Sequence, residues 1–136
     1  MTMLAIGSSA AYYVFKYLPD KDAREERTAR DRECSAQSAA AFHQFTAEKK
    51  TLDRDATFTL NGNHYNQKLR KCFLSLTSES GPFSDDYLLD GFEHTVLLTC
   101  HLNSASSSHE RECFDYDDLS QEADTVRERW RKLMEE

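Results

Sequence analysis

No two cysteines of this chain stand in C-x-x-C spacing, which removes the commonest frameworks for thiol redox chemistry and for structural zinc. A glycine-rich phosphate loop, a G-x-S-x-G elbow, an H-E-x-x-H helix and an EF-hand loop are equally absent. The motifs therefore imply neither a catalytic residue nor a resident metal or cofactor. A basic stripe is also missing, since Lys and Arg are interleaved with acids in a chain of net charge -7. That balance disfavours a nucleic-acid partner, which needs clustered cations against the phosphate backbone. The densest basic group, Arg127, Arg129, Arg131 and Lys132, is ringed by Glu122, Asp124, Glu128, Glu135 and Glu136. It reads as a solvated helix face.

What is present bounds the architecture. The 136 residues, 39% of them hydrophobic, suit one domain with a modest core. From Met1 to Phe15 there is no charge. This apolar segment, 1–19, falls short of the roughly 20 residues of a spanning helix. Its readings are an export signal, a membrane anchor or a terminal helix, with membrane association through residues 1–18. Acids and bases alternate over 20–33, which marks a charged helix or stalk leading into a single α+β domain spanning 20–136.

From Cys34 onward the periodicity changes. Cys34, Ser38, Ala41, Phe42, Phe45 and Leu52 recur on one helical stripe that should pack on a core. Asn61-Gly62 predicts a two-residue hairpin after the strand Thr57-Phe58-Thr59-Leu60, with a return near Asn63 to Asn66. Leu69 to Thr77 reads as a further strand, with Cys72, Leu74 and Leu76 on one face. The span 78–86 reads as a loop. Thr95 to Leu102 alternates, placing Val96, Leu98, Cys100 and Leu102 together, and 109–116 returns as its hairpin partner. Leu119, Ala123, Val126, Trp130 and Leu133 form an amphipathic C-terminal helix, with Asp118 as its N-cap. The expected fold is a long N-terminal helix, an antiparallel sheet of about four strands and the C-terminal helix.

Four cysteines allow three connectivities. Matching faces favours Cys34 with Cys72 and Cys100 with Cys113, the second pair lying across one hairpin. On the chain-entropy estimate such loops contribute roughly 3 to 4 kcal/mol each. Disulfides persist in oxidising compartments, which suggests an extracytoplasmic setting. The competing arrangements are four reduced cysteines in a cytosolic protein and a zinc site from Cys100, His101, His109 and Cys113, although His101 points away from Cys100 along an extended strand. A Cys72–His64 pair has no specific spacing. His64, Tyr65 and Asn66 are candidate ligand-binding residues beside the expected turn. Asp90, Glu93 and His94 form an acid-rich patch that an ordinary solvated loop would also explain.

The stretch Asn63-His64-Tyr65-Asn66-Gln67-Lys68-Leu69-Arg70-Lys71-Cys72-Phe73, followed by Leu89-Asp90-Gly91-Phe92-Glu93, resembles small exported bacterial proteins. These carry an H-Y-N-x-x-L-x-K-C-F stretch and paired cysteines, and their function is uncharacterised. The resemblance spans about residues 34 to 94. It implies a periplasmic or envelope-associated domain with a Cys34–Cys72 bridge, and no activity to carry over. The lack of a positive start to the N-terminal segment departs from that pattern. The functional expectation is a disulfide-stabilised, exported or tethered binding or structural module with a protein or envelope partner. The alternative is a soluble thiol- or zinc-dependent protein using Cys100, Cys113 and the nearby histidines.

Overall fold

A computed structural model describes residues 18–106 and 111–135. The element order is α1 (Leu18–Leu52), β1 (Thr57–Asn66), β2 (Lys71–Ser80), β3 (Phe83–Asp90), β4 (Thr95–Asn103), β5 (Arg111–Asp115) and α2 (Ala123–Glu135). The fold is α+β, and the antiparallel sheet is a meander of five strands in the order β1-β2-β3-β4-β5. The readings of residues 1–17 as signal, anchor or terminal helix lie outside the described residues. Among those described, no helix is long and apolar enough to cross a membrane.

The chain divides into two compact units, residues 1–32 and 33–136. In the first, α1 begins with Pro19 in its opening turn, where the missing N–H costs nothing. Its charged residues are solvated, as in the Lys21–Glu25 pair at 3.7 Å.

In the second unit, α1 buries only Cys34, Ser38, Ala41 and Phe45. These follow the expected stripe, whereas Leu52 at its end is exposed. Ala41 and Phe45 meet Leu74, Leu76, Tyr87 and Leu89 on one face of the sheet, and Phe45 stacks edge-on against Tyr87 at 4.9 Å. The opposite face carries Phe73, Leu88, Leu98, Cys100 and Cys113, covered by Val126 of α2 with Trp130, Leu133 and Met134 beside it. Each fully buried Leu stabilises by about 2 kcal/mol. Two cores thus lie on the two faces of the sheet. Arg129 adds a polar lock, joining the buried Asp115 at the end of β5 and Asp117, the latter at 2.8 Å.

Four local expectations are corrected. Asn61-Gly62 is no hairpin, because β1 continues through it with a bulge between Leu60 and Gly62. The Asn61 amide instead donates to the Thr77 hydroxyl across the ladder at 2.8 Å. The span 78–86 is not a loop: Gly81, at φ 58°, makes a tight turn and β3 follows at once. The acid-rich start of β3 hides its strand from any apolar periodicity. Val96 and Leu98 do not share a face, since a register shift opposite Leu88 and Leu89 places Val96 in the α1 core and Leu98 in the α2 core. Leu119 and Asp118 precede the helix, whose first bond runs from the Val126 N–H to the Glu122 carbonyl.

Side chains of Asn and Asp fix most of the turns by accepting backbone N–H groups, as such residues do in Asx turns. Asn66 accepts from Leu69 at 2.9 Å, Asp90 from Phe92 at 2.9 Å and Glu93 at 3.0 Å, and Asn103 from Ala105 at 3.0 Å. Asp53, between α1 and β1, accepts from the Ser80 hydroxyl at 2.6 Å and the Asp55 N–H at 3.1 Å.

The Ser80 hydroxyl, and then the Asp55 N–H, hold the Asp53 carboxyl below its ordinary value, while Ser120 and Gln121 do the same for Asp118. A carboxyl depressed by folding stabilises above the unfolded value, about 3.9 for Asp, and that stability is lost as pH falls through the folded value. Thermal melting followed by circular dichroism should therefore weaken most steeply below about pH 4. The Asp53→Asn variant should show a shallower acid slope than the wild type.

Candidate functional site

The sequence stretch singled out around His64 gathers at one end of the sheet, around a buried disulfide. Cys34 of α1 is bridged to Cys72 of β2 with α-carbons 5.3 Å apart. Both residues are wholly buried. The Ser38 hydroxyl lies 3.3 Å from the Cys72 sulfur. Gly91 approaches from the β3–β4 turn, and its N–H donates to the Cys72 carbonyl at 2.7 Å. A β-carbon on Gly91 would stand 2.7 Å from that sulfur and 3.1 Å from the Ser38 oxygen, so only glycine fits without displacement.

The remaining residues of the stretch close around this point. Tyr65 pairs with Cys72 in the ladder, and its ring lies 6.3 Å from that of Phe92. The Lys71 ammonium sits 3.3 Å from the buried Asp90 carboxylate. Asn66, buried, caps the β1–β2 turn, which lets Arg70 take a positive φ of 53°. His64 pairs with Phe73, and its Nε2 is buried with no hydrogen-bond partner among the described residues. Strand alternation divides the candidate triplet, with His64 and Asn66 on the α2 face and Tyr65 on the α1 face. His64 and Asp90 lie in one cross-strand row with Phe73 between them. The His94 Nδ1 meets the Gln44 oxygen at 2.8 Å, which ties the β3–β4 turn to α1.

The second bridge joins Cys100 and Cys113, directly opposed in the β4–β5 hairpin. No cysteine is free. Neither Cys100 nor Cys113 then offers a thiolate to zinc, and His101 turns to the other face as its strand position requires. Its Nδ1 meets Asp85 at 2.5 Å, and the Tyr87 hydroxyl donates to the same carboxylate at 3.2 Å. Burial, and then the Asp85 charge, push the Tyr87 phenol far above its ordinary value, so it stays protonated and keeps the hydrogen it donates to that carboxylate. His109 lies outside the described residues.

A cleft of about 260 Å³ opens on the α2 face, lined by Asn61, Ser75, Asp86, Cys100, Arg111, Arg127 and Trp130. Its floor is a polar chain. The Thr77 hydroxyl donates to Asp86 at 2.6 Å, and Arg111 reaches the other Asp86 oxygen at 3.1 Å. The Cys100–Cys113 bridge lies in the same cross-strand row as Asp86 and forms a wall. Arg127 and Trp130 stand three positions apart on α2, hence on one helix face. Arg127 is paired with Asp124 one turn back. Sequence reading missed this site, because Asp86 falls in the span read as a loop, and Arg111 comes beside it only when β3 pairs with β4. Its one legible signal was the lone Trp of the chain beside Arg127.

No protein-family model, curated protein or solved structure matches the chain.

The crowding at Gly91 gives a contrast within one residue type. Gly91→Ala should cost about 1–3 kcal/mol by overpacking the bridge. Gly62→Ala, where nothing lies within 4 Å of the added carbon, should change stability by no more than about 0.5 kcal/mol. Urea denaturation of both variants, read as midpoints at equal slope, measures the difference.

Proposed function

We propose that the chain is an exported, disulfide-stabilised binding module whose ligand site is the cleft beneath α2. The observation that carries this reading is that all four cysteines are consumed in two buried bridges, one of which also walls the cleft. Such bridges form and persist in the periplasm or another extracytoplasmic compartment and are rare where thiols are kept reduced. The resemblance of the 34–94 stretch to small exported bacterial proteins supports the same compartment. Residues 1–18, uncharged as far as Phe15, would supply the export signal or membrane anchor.

Binding rather than catalysis is supported by the chemistry of the cleft. It brings together guanidinium, hydroxyl, amide and indole groups over an apolar wall, with no thiol in reach. Concave sites that set convergent polar groups beside an apolar surface are where ligands bind. The thiol- or zinc-dependent alternative needs thiolates at Cys100 and Cys113, and both sulfurs are bridged.

Two fusions of the full chain in a bacterial host test the compartment. Alkaline phosphatase, active only after export, should be active when joined after Glu136, and a cytosol-active galactosidase should be inactive there. The reverse pattern, together with four alkylatable thiols in the unreduced protein, would overturn the reading. For the cleft, a small-molecule library read through Trp130 fluorescence should contain members that shift the emission saturably. Complete silence across the library would remove the cleft from the account.

A further inference from the structure

We propose that the cleft beneath α2 takes a small organic carboxylate, its head held by Arg111 and Arg127 and its apolar body resting on Trp130 and the Cys100–Cys113 bridge. This inference rests on the reading of the cleft as a ligand site.

Charge gives the first argument. The lining carries two guanidinium groups and one carboxylate, and the carboxylate paired with the second guanidinium, Asp124, lies outside the lining and is 89% exposed. Cations balanced in part by a weakly held surface carboxylate favour an incoming anion.

Hydrogen-bond inventory gives the second. Asp86 is the cleft's only ionised acceptor, and its two oxygens are engaged by the Thr77 hydroxyl and the Arg111 guanidinium. Among the described residues Arg111 meets Asp86 through Nη2, and a guanidinium has five N–H groups. The hydrogens not directed at Asp86 can serve a ligand. Among the described residues Arg127 pairs with Asp124, whose side chain is 89% exposed, and surface pairs at this spacing are weak. Arg127 can exchange that partner for a desolvated anion at little loss. Ser75 adds a hydroxyl donor. Donors outnumber free acceptors, so a fitting ligand must bring acceptors of its own.

Shape selects among anions. A guanidinium fork matches the planar carboxylate in bidentate fashion. The indole and the disulfide offer an apolar surface beside it, which a bare inorganic ion would leave unused. At about 260 Å³ the space lies below the roughly 300–1,000 Å³ of drug-sized sites, which points to a short body. The carboxylate could be carried by a free acid or by the C-terminal residue of a peptide.

Matched acids and amides test the class, with emission from the single Trp as the readout. The probes are 3-phenylpropionate and its amide, and the tripeptide glycyl-glycyl-phenylalanine with a free or amidated end. At least one acid should shift Trp130 emission saturably, and whichever acid binds more tightly identifies the source. Its amide should bind about tenfold or more weakly, as for loss of a charged hydrogen-bond partner. Arg111→Gln and Arg127→Gln should each weaken the acid by a similar factor, while Arg54→Gln, on an exposed turn away from the cleft, should leave it unchanged. An amide that binds as tightly as its acid, or acid binding indifferent to both variants of the cleft, would overturn the proposal. Library members that bind where neither acid does would overturn the carboxylate alone. Silence of acids and library together would overturn the underlying reading as well.

Discussion

The Cys34–Cys72 bridge is the constraint on which the second unit depends, because α1 has little else with which to hold the sheet. Along its 35 residues only Cys34, Ser38, Ala41 and Phe45 are buried, and of these only Phe45 is large. Burying one Phe side chain stabilises by about 2–3 kcal/mol. Closing a loop of 38 residues with a disulfide contributes about 4 kcal/mol on the chain-entropy estimate. The covalent tie is thus at least the equal of the helix's largest apolar contact, and it acts at one point. Everything near that point is adapted to it: Gly91 leaves room for the sulfur, Ser38 meets it with a hydroxyl, and Asp90 holds the turn that carries Gly91.

The other face is organised by different means. There α2 is fixed by Val126 in the core and by Arg129 on Asp115, and the Cys100–Cys113 bridge stiffens the hairpin beneath it. An apolar anchor and an ion pair to a buried carboxylate hold the helix along one line, and beside that line the α2 face of the sheet is polar, with Ser75 and Asp86. Helix and sheet therefore do not close fully together, and the cleft is the space between them. The two faces divide the labour: one holds α1 to the sheet, and the other leaves a recess with Arg111, Arg127 and Trp130 around it.

Helix positions and cysteine pairing were legible in the sequence because both rest on strong periodic signals. Cys34, Ser38, Ala41 and Phe45 recur at helical spacing, and Cys72, Leu74 and Leu76 alternate as a strand does. The β3 strand was not legible, since Phe83-Ser84-Asp85-Asp86 has the composition of a loop and becomes a strand through pairing on both sides. Asn61-Gly62 misled for the converse reason. Its local preference for a turn is overridden by the ladder to β2 and absorbed as a bulge, while Asn66 fixes the true turn further on. The residues His64, Tyr65 and Asn66 were visible as a group, but strand alternation splits them, and only Tyr65 shares the face of the bridge. The cleft draws one residue from each of the five strands and two from α2, and no window of sequence contains it.

Native-state amide hydrogen exchange, comparing the oxidised protein with the Cys34→Ala/Cys72→Ala variant, tests the central claim most directly. Loss of protection over residues 33–52, with β2, β3 and β4 still protected, is the result this account predicts. Protection over 33–52 equal to that of the oxidised protein would contradict it, and would assign the docking of α1 to Ala41 and Phe45 alone.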